Sequence, residues 1–234
     1  MASLVAGFGA PPNLDQVPNT YTAPYDPRAY DSLPSLRLAS EQFQQLNAIT
    51  AVVNPIRDLF LKHKVHKHLG IALLHKHFPI RPTERLVDCR SISAPWDIGD
   101  DTNAATRKYE SLILPRSFRL VKEKFVPYEF DFSDADLPRQ VDQAFLSELS
   151  SLLYQHRLDQ VLGLRVLDKH DSELTVEVTE GNMNIMIRRG IVPENELIQA
   201  LWVFAKEEDQ ACHCREICRV DSKGTHVESN HACG

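Results

Sequence analysis

Helical spacing of apolar residues occurs in two parts of the chain. A first helix is predicted near Ser40, and Asn54-Pro55 predicts the start of a second, because asparagine suits an N-cap and proline suits the first helical position. Asp136 can cap a third helix. The predicted apolar faces are Phe43, Leu46, Ile49 and Val53 in the first helix, Ile56, Leu59 and Phe60 in the second, and Val141, Phe145, Leu149, Leu152 and Leu153 in the third.

Elsewhere the spacing of apolar residues is typical of β-strands. The segment "HLGIALLHKHF", residues 68–78, is apolar on both faces in its first half, as in a central strand. Residues 84–93 are predicted to be its hairpin partner, residues 94–103 a loop, and residues 104–125 give no clear signal. Further predicted strands are "VPYEFDF", "VLGLRVL", "ELTVEV", "MNIMIRR", "LIQALWVFA" and "ACHCREICRV".

Strands outnumber helices in this prediction, and most connections between strands are short. The pattern therefore favours an α+β fold, with a curved, largely antiparallel sheet of about seven or eight strands and roughly three covering helices. Residues 1–35 hold six of the fourteen prolines and are predicted to form an extended N-terminal arm. Tyr21, Tyr25 and Tyr30 could pin this arm to the body, or it could be a disordered tail. Residues 36–234 are predicted to form a single domain.

Composition and charge narrow the classes of partner. The chain has 234 residues, of which 43% are hydrophobic, and a formal net charge of -6. An acidic chain argues against general nucleic-acid binding, which needs a basic surplus to displace phosphate counterions. No apolar run approaches the ~20 residues of a membrane span, and the N-terminal stretch lacks the basic region of a signal peptide. We therefore expect a cytoplasmic protein that acts on a small-molecule ligand and binds neither nucleic acid nor membrane, and the sequence does not indicate an oligomeric state.

Five of the ten histidines lie within fifteen residues of one another. Since residues two apart on a strand point to the same side, His75 and His77 are predicted to lie together. Such a pair can supply two imidazoles to one metal ion, or place a general base beside an orienting partner. A third ligand would come from Glu84, Asp88, Cys89 or the C-terminal residues. The alternative is a pair of ordinary hydrogen-bonded histidines at a strand end.

The last 23 residues hold four of the five cysteines. Their spacing lacks the C-x2-C knuckles of a structural zinc site, so the alternatives are small thiols packed inward, a metal site, and a redox or nucleophilic role. The cofactor considered is zinc or another divalent metal. The candidate metal ligands of this tail are Cys212, Cys214, Cys218, His226, His231 and Cys233.

One hypothesis joins the histidine pair to the cysteines. If the last strand neighbours residues 69–78, His75 and His77 face Cys212 or Cys214 across the sheet interior. That pocket would suit metal binding or a Cys/His nucleophile pair. Side chains more than ~12 Å apart would exclude it, because metal ligands lie only ~2.0–2.3 Å from their ion.

The stretch "LFLKHKVHKHLGIALLHKHF", with the following "ERLV", resembles a group of uncharacterised fungal proteins. These share a helix ending in L-F-x-K-H, a strand ending in L-L-H-x-H-F and a short E-x-x-V strand, which match residues 59–63, 73–78 and 84–87. The likeness extends to a Trp/Phe strand, a cysteine-bearing strand and a His-rich tail. It implies a fungal, intracellular origin and marks the H-x-H strand as a signature, but it carries no assigned activity.

Motifs of the common enzyme classes are absent from the sequence. It contains no P-loop, no G-x-G-x-x-G, no H-E-x-x-H and no G-x-S-x-G. We therefore expect a small-molecule-acting protein with a histidine-lined pocket, a metal-assisted or acid/base enzyme of fungal metabolism in which His75 and His77 are catalytic or bind the metal. The alternative is a non-enzymatic binding or regulatory protein with a zinc-binding or structural Cys/His-rich tail.

Overall fold

The computed structural model describes residues 22–98, 108–132, 142–167, 175–188, 197–205 and 212–219. Its strands are β1 (Leu69–Leu73), β2 (Glu84–Cys89), β3 (Ile92–Asp97), β4 (Ile113–Val121), β5 (Lys124–Phe132), β6 (Leu162–Val166), β7 (Thr175–Glu180), β8 (Met183–Arg188), β9 (Leu197–Phe204) and β10 (Cys212–Arg219). Its helices are α1 (Pro27–Asp31), α2 (Leu36–Gln45), α3 (Ala48–Ala51), a π-helical segment (Val52–Ile56), α4 (Arg57–Lys62), a 3-10 turn (Glu110–Leu112) and α5 (Gln143–Gln155).

The ten strands close into one barrel. Their order around it is β1-β6-β4-β5-β2-β3-β8-β7-β10-β9, and β9 pairs with β1 to complete the ring. Most neighbours are antiparallel, as predicted, whereas β2–β5 and β7–β10 are parallel. The predicted open, curved sheet of seven or eight strands with covering helices is wrong. A ring gives every strand two hydrogen-bonded neighbours and leaves no sheet edge.

Two strands that the sequence pattern did not predict account for part of this difference. β3 contains Pro95 and Trp96, which suggest a loop, yet it pairs with β2 over its whole length. β4 forms a long hairpin with β5, and a register shift around Arg116 interrupts its alternation of apolar and polar residues. The predicted hairpin between β1 and β2 is also wrong, because β1 pairs with β6 and β9. For these strands, pairing with segments that are distant in the sequence outweighed the local preferences of their residues.

The helices begin at different residues from those predicted. Ser35, not Ser40, caps α2 by accepting a hydrogen bond from the backbone of Leu38. Asn54-Pro55 does not start a new helix: both residues lie within the π-helical segment, which continues into α4. Pro55 has no N–H to donate, and the irregular turn takes up that interruption. Asp142 caps α5, and Asp136 lies outside the described residues.

The helices cover one side of the barrel, where the main apolar core lies. Phe60 on α4 contacts Phe145 on α5 and Phe204 on β9, with ring centroids 5.0 and 4.8 Å away. Phe43 on α2 stacks on Trp202 of β9 at 4.8 Å. The other strand residues of this core include Leu69, Ile71, Leu73, Leu162, Leu164 and Val166. The apolar face of β1 therefore holds the helices against the barrel.

The predicted apolar face of the first helix is only partly buried. Leu46, Ile49 and Val53 are between 36% and 42% exposed, whereas Ala48 and Val52 are fully buried. The change from α3 to the π-helical segment alters the number of residues per turn, so regular α-helical spacing no longer identifies the buried side.

Residues before α2 also contact the barrel. Tyr30 is fully buried, and its hydroxyl donates a hydrogen bond to the carbonyl of Phe78 at 2.9 Å. The Tyr25 hydroxyl donates to the carbonyl of Glu84 at 3.1 Å. Tyr21 lies outside the described residues. Among the helices that the structure describes, none has both the length and the apolar character needed to cross a membrane.

Candidate metal centre

Charged side chains fill the inside of the barrel. Arg165 on β6 lies 3.1 Å from Glu216 on β10, although β1 and β9 separate these strands in the ring. Arg165 also lies 3.0 Å from Glu129 on β5 and 3.7 Å from Asp88 on β2. Side chains of strands that are not neighbours meet in this way only across the interior of the ring. The interior of the barrel therefore carries charged side chains that pair with one another across it.

His75 and His77 follow β1 and lie at this interior. The strand ends at Leu73, and the backbone N–H of Leu74 then donates to the carbonyl of Val161. The two imidazole rings are 4.7 Å apart, which confirms the prediction that they lie together. His75 is 5% exposed, and the side chain of His77 is 3% exposed.

Each imidazole has one nitrogen held by an acceptor and the other turned to a candidate ligand. His75 Nδ1 donates to the carbonyl of Leu73 at 2.9 Å, because a carbonyl can only accept. Its Nε2 is then the unprotonated nitrogen of the neutral ring, and it lies 3.4 Å from Cys218 Sγ. His77 Nε2 lies 3.1 Å from Glu129 Oε1, and its Nδ1 lies 3.0 Å from Glu177 Oε1.

Three distances between the candidate donor atoms are close to those between metal ligands. Cys218 Sγ lies 3.4 Å from His75 Nε2 and 3.4 Å from Glu177 Oε1, which in turn lies 3.0 Å from His77 Nδ1. The donor atoms of His75, His77 and Glu177 all lie within 4.8 Å of one another. Tetrahedral ligands at 2.0–2.3 Å from an ion would be roughly 3.3–3.8 Å apart. A small shift of these side chains would therefore enclose an ion.

The two histidines have pKa values on opposite sides of neutrality. Burial alone would lower the pKa of His77, but the adjacent Glu177 and Glu129 carboxylates raise it to about 10. Burial and the neighbouring His77 lower the pKa of His75 to about 4. Without a metal ion, His77 is therefore a cation between two carboxylates at pH 7, and His75 is neutral.

The acidic groups around the histidines also have shifted pKa values. Burial would raise the pKa of Glu129, but the hydrogen bond from His77 and the charge of Arg165 lower it to about 2. Burial raises the pKa of Glu216 to about 7 despite the charge of Arg165. Burial and the Glu177 carboxylate raise the pKa of the Cys218 thiol well above its usual range. Cys218 is therefore protonated when no cation is present.

Carboxylates outnumber guanidinium groups in this interior network. Asp88 accepts hydrogen bonds from Arg116 and from Ser93. The network contains the carboxyl groups of Asp88, Glu129, Glu177 and Glu216 and the guanidinium groups of Arg116 and Arg165. Asp131, which pairs with Asp88 across β5 and β2, is also buried, and His77 adds a positive charge. Carboxyl groups therefore outnumber cationic groups in this part of the barrel.

A small cavity adjoins the cluster. Its volume is about 10 Å³, which is room for about one water molecule. It is lined by Leu86, Asp88, Ser93, Glu129, Phe130, Arg165 and Glu177. The cavity thus lies between Glu177, a candidate metal ligand, and other residues of the charged network.

Of the candidate cysteine ligands that the structure describes, Cys218 is the one with a hydrogen-bond contact to the histidines. Cys218 contacts His75, whereas Cys214 Sγ donates to the carbonyl of Glu216 at 3.1 Å and Cys212 packs against the apolar core. Cys212, Cys214 and Cys218 pair with Phe204, Trp202 and Ile198, which alternate along β9, and the register shifts lie on both sides of Glu216. The predicted adjacency of the last strand and β1 is wrong, because β9 lies between them, yet Cys218 of that strand contacts His75. The candidates His226, His231 and Cys233 lie outside the described residues.

Most of the acidic and basic partners are not identifiable from the sequence pattern. Asp88, which belongs to the network, was a predicted candidate, whereas Glu129, Glu177, Arg165 and Glu216 were not. Glu177 was visible only as a polar position in "ELTVEV", where alternation predicts exposure to solvent; it is in fact 3% exposed. Polar residues that face the interior of a barrel alternate with apolar residues in the same way as polar residues that face solvent, so the pattern does not distinguish the two.

Comparison with protein families, with curated proteins and with solved structures finds no match for this chain. The resemblance to a fungal group therefore stays a prediction. The assignment of a function rests on the geometry of the interior cluster.

Proposed function

We propose that the protein binds a divalent transition-metal ion, zinc in the first place, inside its barrel. The ligands would be His75 Nε2, His77 Nδ1, Glu177 Oε1 and Cys218 Sγ. The observation that carries the proposal is the chain of contacts of 3.0–3.4 Å from His75 to Cys218, Glu177 and His77, in a cluster where the second nitrogen of each imidazole already has an acceptor. Such acceptors fix the orientation and the tautomer of metal-bound histidines.

The types of donor atom support a transition metal over calcium or magnesium. Imidazole nitrogen and thiolate sulfur suit zinc and its neighbours, whereas calcium and magnesium prefer carboxylate, carbonyl and water oxygens. The excess of carboxyl groups over guanidinium groups in the network supports a cation over an anion. A ligand set from the four proposed residues would also join the end of β1 to the paired strands β7 and β10.

Metal binding explains the histidine pair better than acid/base catalysis does. A general base working near pH 7 needs a pKa close to that value. Burial lowers the pKa of His75 to about 4, and the Glu177 and Glu129 carboxylates raise that of His77 to about 10 against the effect of burial.

Metal-assisted chemistry on a small molecule is a second candidate function. It draws on the water-sized cavity beside Glu177. If Cys218 stays protonated, His75, His77 and Glu177 form a two-histidine, one-carboxylate set with an open position for water, as in catalytic zinc sites. With Cys218 bound, the shell is closed, as in structural zinc sites.

Elemental analysis of the untagged protein tests the proposal. After incubation with zinc and removal of the excess, the wild type should retain about one ion per chain. His75→Ala/His77→Ala should retain none. The matched control is His68→Ala, which removes an exposed histidine from the same segment and should retain the ion. Retention by the double variant, or no uptake by the wild type, would refute the site.

Cobalt substitution tests the contribution of Cys218. The Co²⁺ form of the wild type should show a near-ultraviolet sulfur-to-metal charge-transfer band. Cys218→Ser should lose this band, whereas Cys212→Ser should keep it. A band that follows Cys212 instead would contradict the ligand set.

A further inference from the structure

We infer that Arg165 determines the composition of the metal shell by holding Glu216 outside it. This inference rests on the proposed metal site. The donor atoms of Glu177, Glu216 and Cys218 all lie within 4.8 Å of one another, so Glu216 is close enough to compete as a ligand. Its Oε2 instead accepts from Arg165 Nη2 at 3.1 Å.

The guanidinium of Arg165 also supports the proposed ligand His77 through Glu129. Arg165 Nη1 lies 3.0 Å from Glu129 Oε2, and the other oxygen of Glu129 lies 3.1 Å from His77 Nε2. Arg165 therefore links the carboxylate that orients His77 to the carboxylate that it keeps from the ion. The side chains of Arg165 and Glu216 are 6% and 7% exposed, so water competes little for these contacts.

Loss of this restraint would change which ions the site prefers. A freed Glu216 would add a carboxylate oxygen to a shell of nitrogen, oxygen and sulfur and raise the coordination number. Oxygen-rich shells suit manganese and magnesium better than they suit zinc. Arg165 is thus a specificity-determining residue that touches no metal ion itself.

The test compares Co²⁺ spectra and metal affinities of the full chain and three variants. Wild type and Glu216→Gln should both show the intense visible absorption of four-coordinate Co²⁺. Arg165→Met should show the weaker absorption of a higher coordination number, and its Zn²⁺-over-Mn²⁺ preference should fall by roughly 10- to 100-fold, the range seen when groups behind the ligands are changed. Arg165→Met/Glu216→Gln should recover the wild-type spectrum, because the competing carboxylate is gone.

Several outcomes would overturn the inference. A changed spectrum in Glu216→Gln would mean that Glu216 is a ligand in the wild type, and this variant gives an answer even if Arg165→Met does not fold. A folded Arg165→Met with the wild-type spectrum, or a double variant without recovery, would also overturn it while leaving the metal site intact. No Co²⁺ uptake by the wild type would overturn the proposed function and this inference with it.

Discussion

His77 lies between two carboxylates that come from different strands. Glu177 on β7 is near Nδ1 and Glu129 on β5 is near Nε2. In the proposed site a metal ion replaces the proton on Nδ1, and Glu129 accepts the remaining N–H. This is the arrangement in which a carboxylate behind a histidine raises its basicity toward the metal.

Changing Glu129 should weaken metal binding without removing a ligand. We expect Glu129→Gln to lower zinc affinity by roughly 10- to 100-fold, because the amide accepts the His77 N–H less strongly than a carboxylate does. Competition with a chelator of known affinity measures the change. Glu148→Gln is the control: Glu148 lies 3.1 Å from His63 on the outer surface, and its loss should leave zinc affinity unaltered.

The ion pair between Arg116 and Asp88 should matter for stability. Both side chains are less than 10% exposed. We expect Arg116→Met to lower the free energy of unfolding by about 3–5 kcal/mol, because it removes the guanidinium that is paired most closely with the buried Asp88 carboxylate. Urea unfolding measures this loss. Arg37→Ala, which breaks an exposed pair with Glu41, should cost less than about 1 kcal/mol, and an equal cost for both variants would contradict the expectation.

At the residue scale the sequence predicted the histidine pair but not its partners. The closeness of His75 and His77 depends on local spacing, which can be read from the chain. The contacts of Glu177 and Glu129 with His77 depend on how the barrel closes, and the spacing of residues along the chain does not predict this closure.

Among the elements, β10 shows how an irregularity changes a prediction. Register shifts lie on both sides of Glu216, and Glu216 and Cys218 both contact the interior network. Strand alternation alone did not indicate which cysteine contacts the histidines. β3 and β4 were missed because proline and a bulge weaken the local signal, although β2 pairs with all of β3 and β5 with nearly all of β4. The position of a bulge is set by contacts with neighbouring strands.

The junction between β4 and β6 depends on a glycine. A Cβ atom at Gly163 would lie 2.5 Å from the backbone carbonyl of Phe118 and 2.6 Å from Leu74. Gly163→Ala should therefore lower the free energy of unfolding by about 1–3 kcal/mol, the usual cost of overpacking. Urea unfolding compares it with Gly181→Asn. Gly181 has φ +57° and nothing within 4 Å of a Cβ, and asparagine tolerates this conformation, so the control should be the milder of the two.

On the scale of the whole molecule, polar side chains occupy buried positions that would face solvent in an open sheet. Glu177, Thr179 and Asn184 are each at most 3% exposed, although their strands alternate as if one side met solvent. The sequence therefore allowed prediction of an antiparallel sheet but not of its closure. Closure depends on β9 returning to β1, a contact between segments more than 100 residues apart.

Metal binding should stabilise the entire barrel. Because the proposed ligands come from separate strands, the unfolded chain lacks the site, and zinc at 100 times its dissociation constant should add about 2.7 kcal/mol to the free energy of unfolding. Thermal unfolding with zinc and with a chelator measures this difference. His75→Ala/His77→Ala should unfold at the same temperature under both conditions; a zinc-dependent shift in that variant would place the ion elsewhere.

The position of β10 as the last described strand has a consequence for biosynthesis. Cys218 follows His75 by 143 residues, which a ribosome takes roughly 7–30 s to add at ~5–20 residues per second. During that interval the nascent chain holds both imidazoles but neither the thiol nor a closed ring. An ion that used all of these groups could be enclosed only after translation had passed β10, so loading of the proposed site would be a late step of maturation.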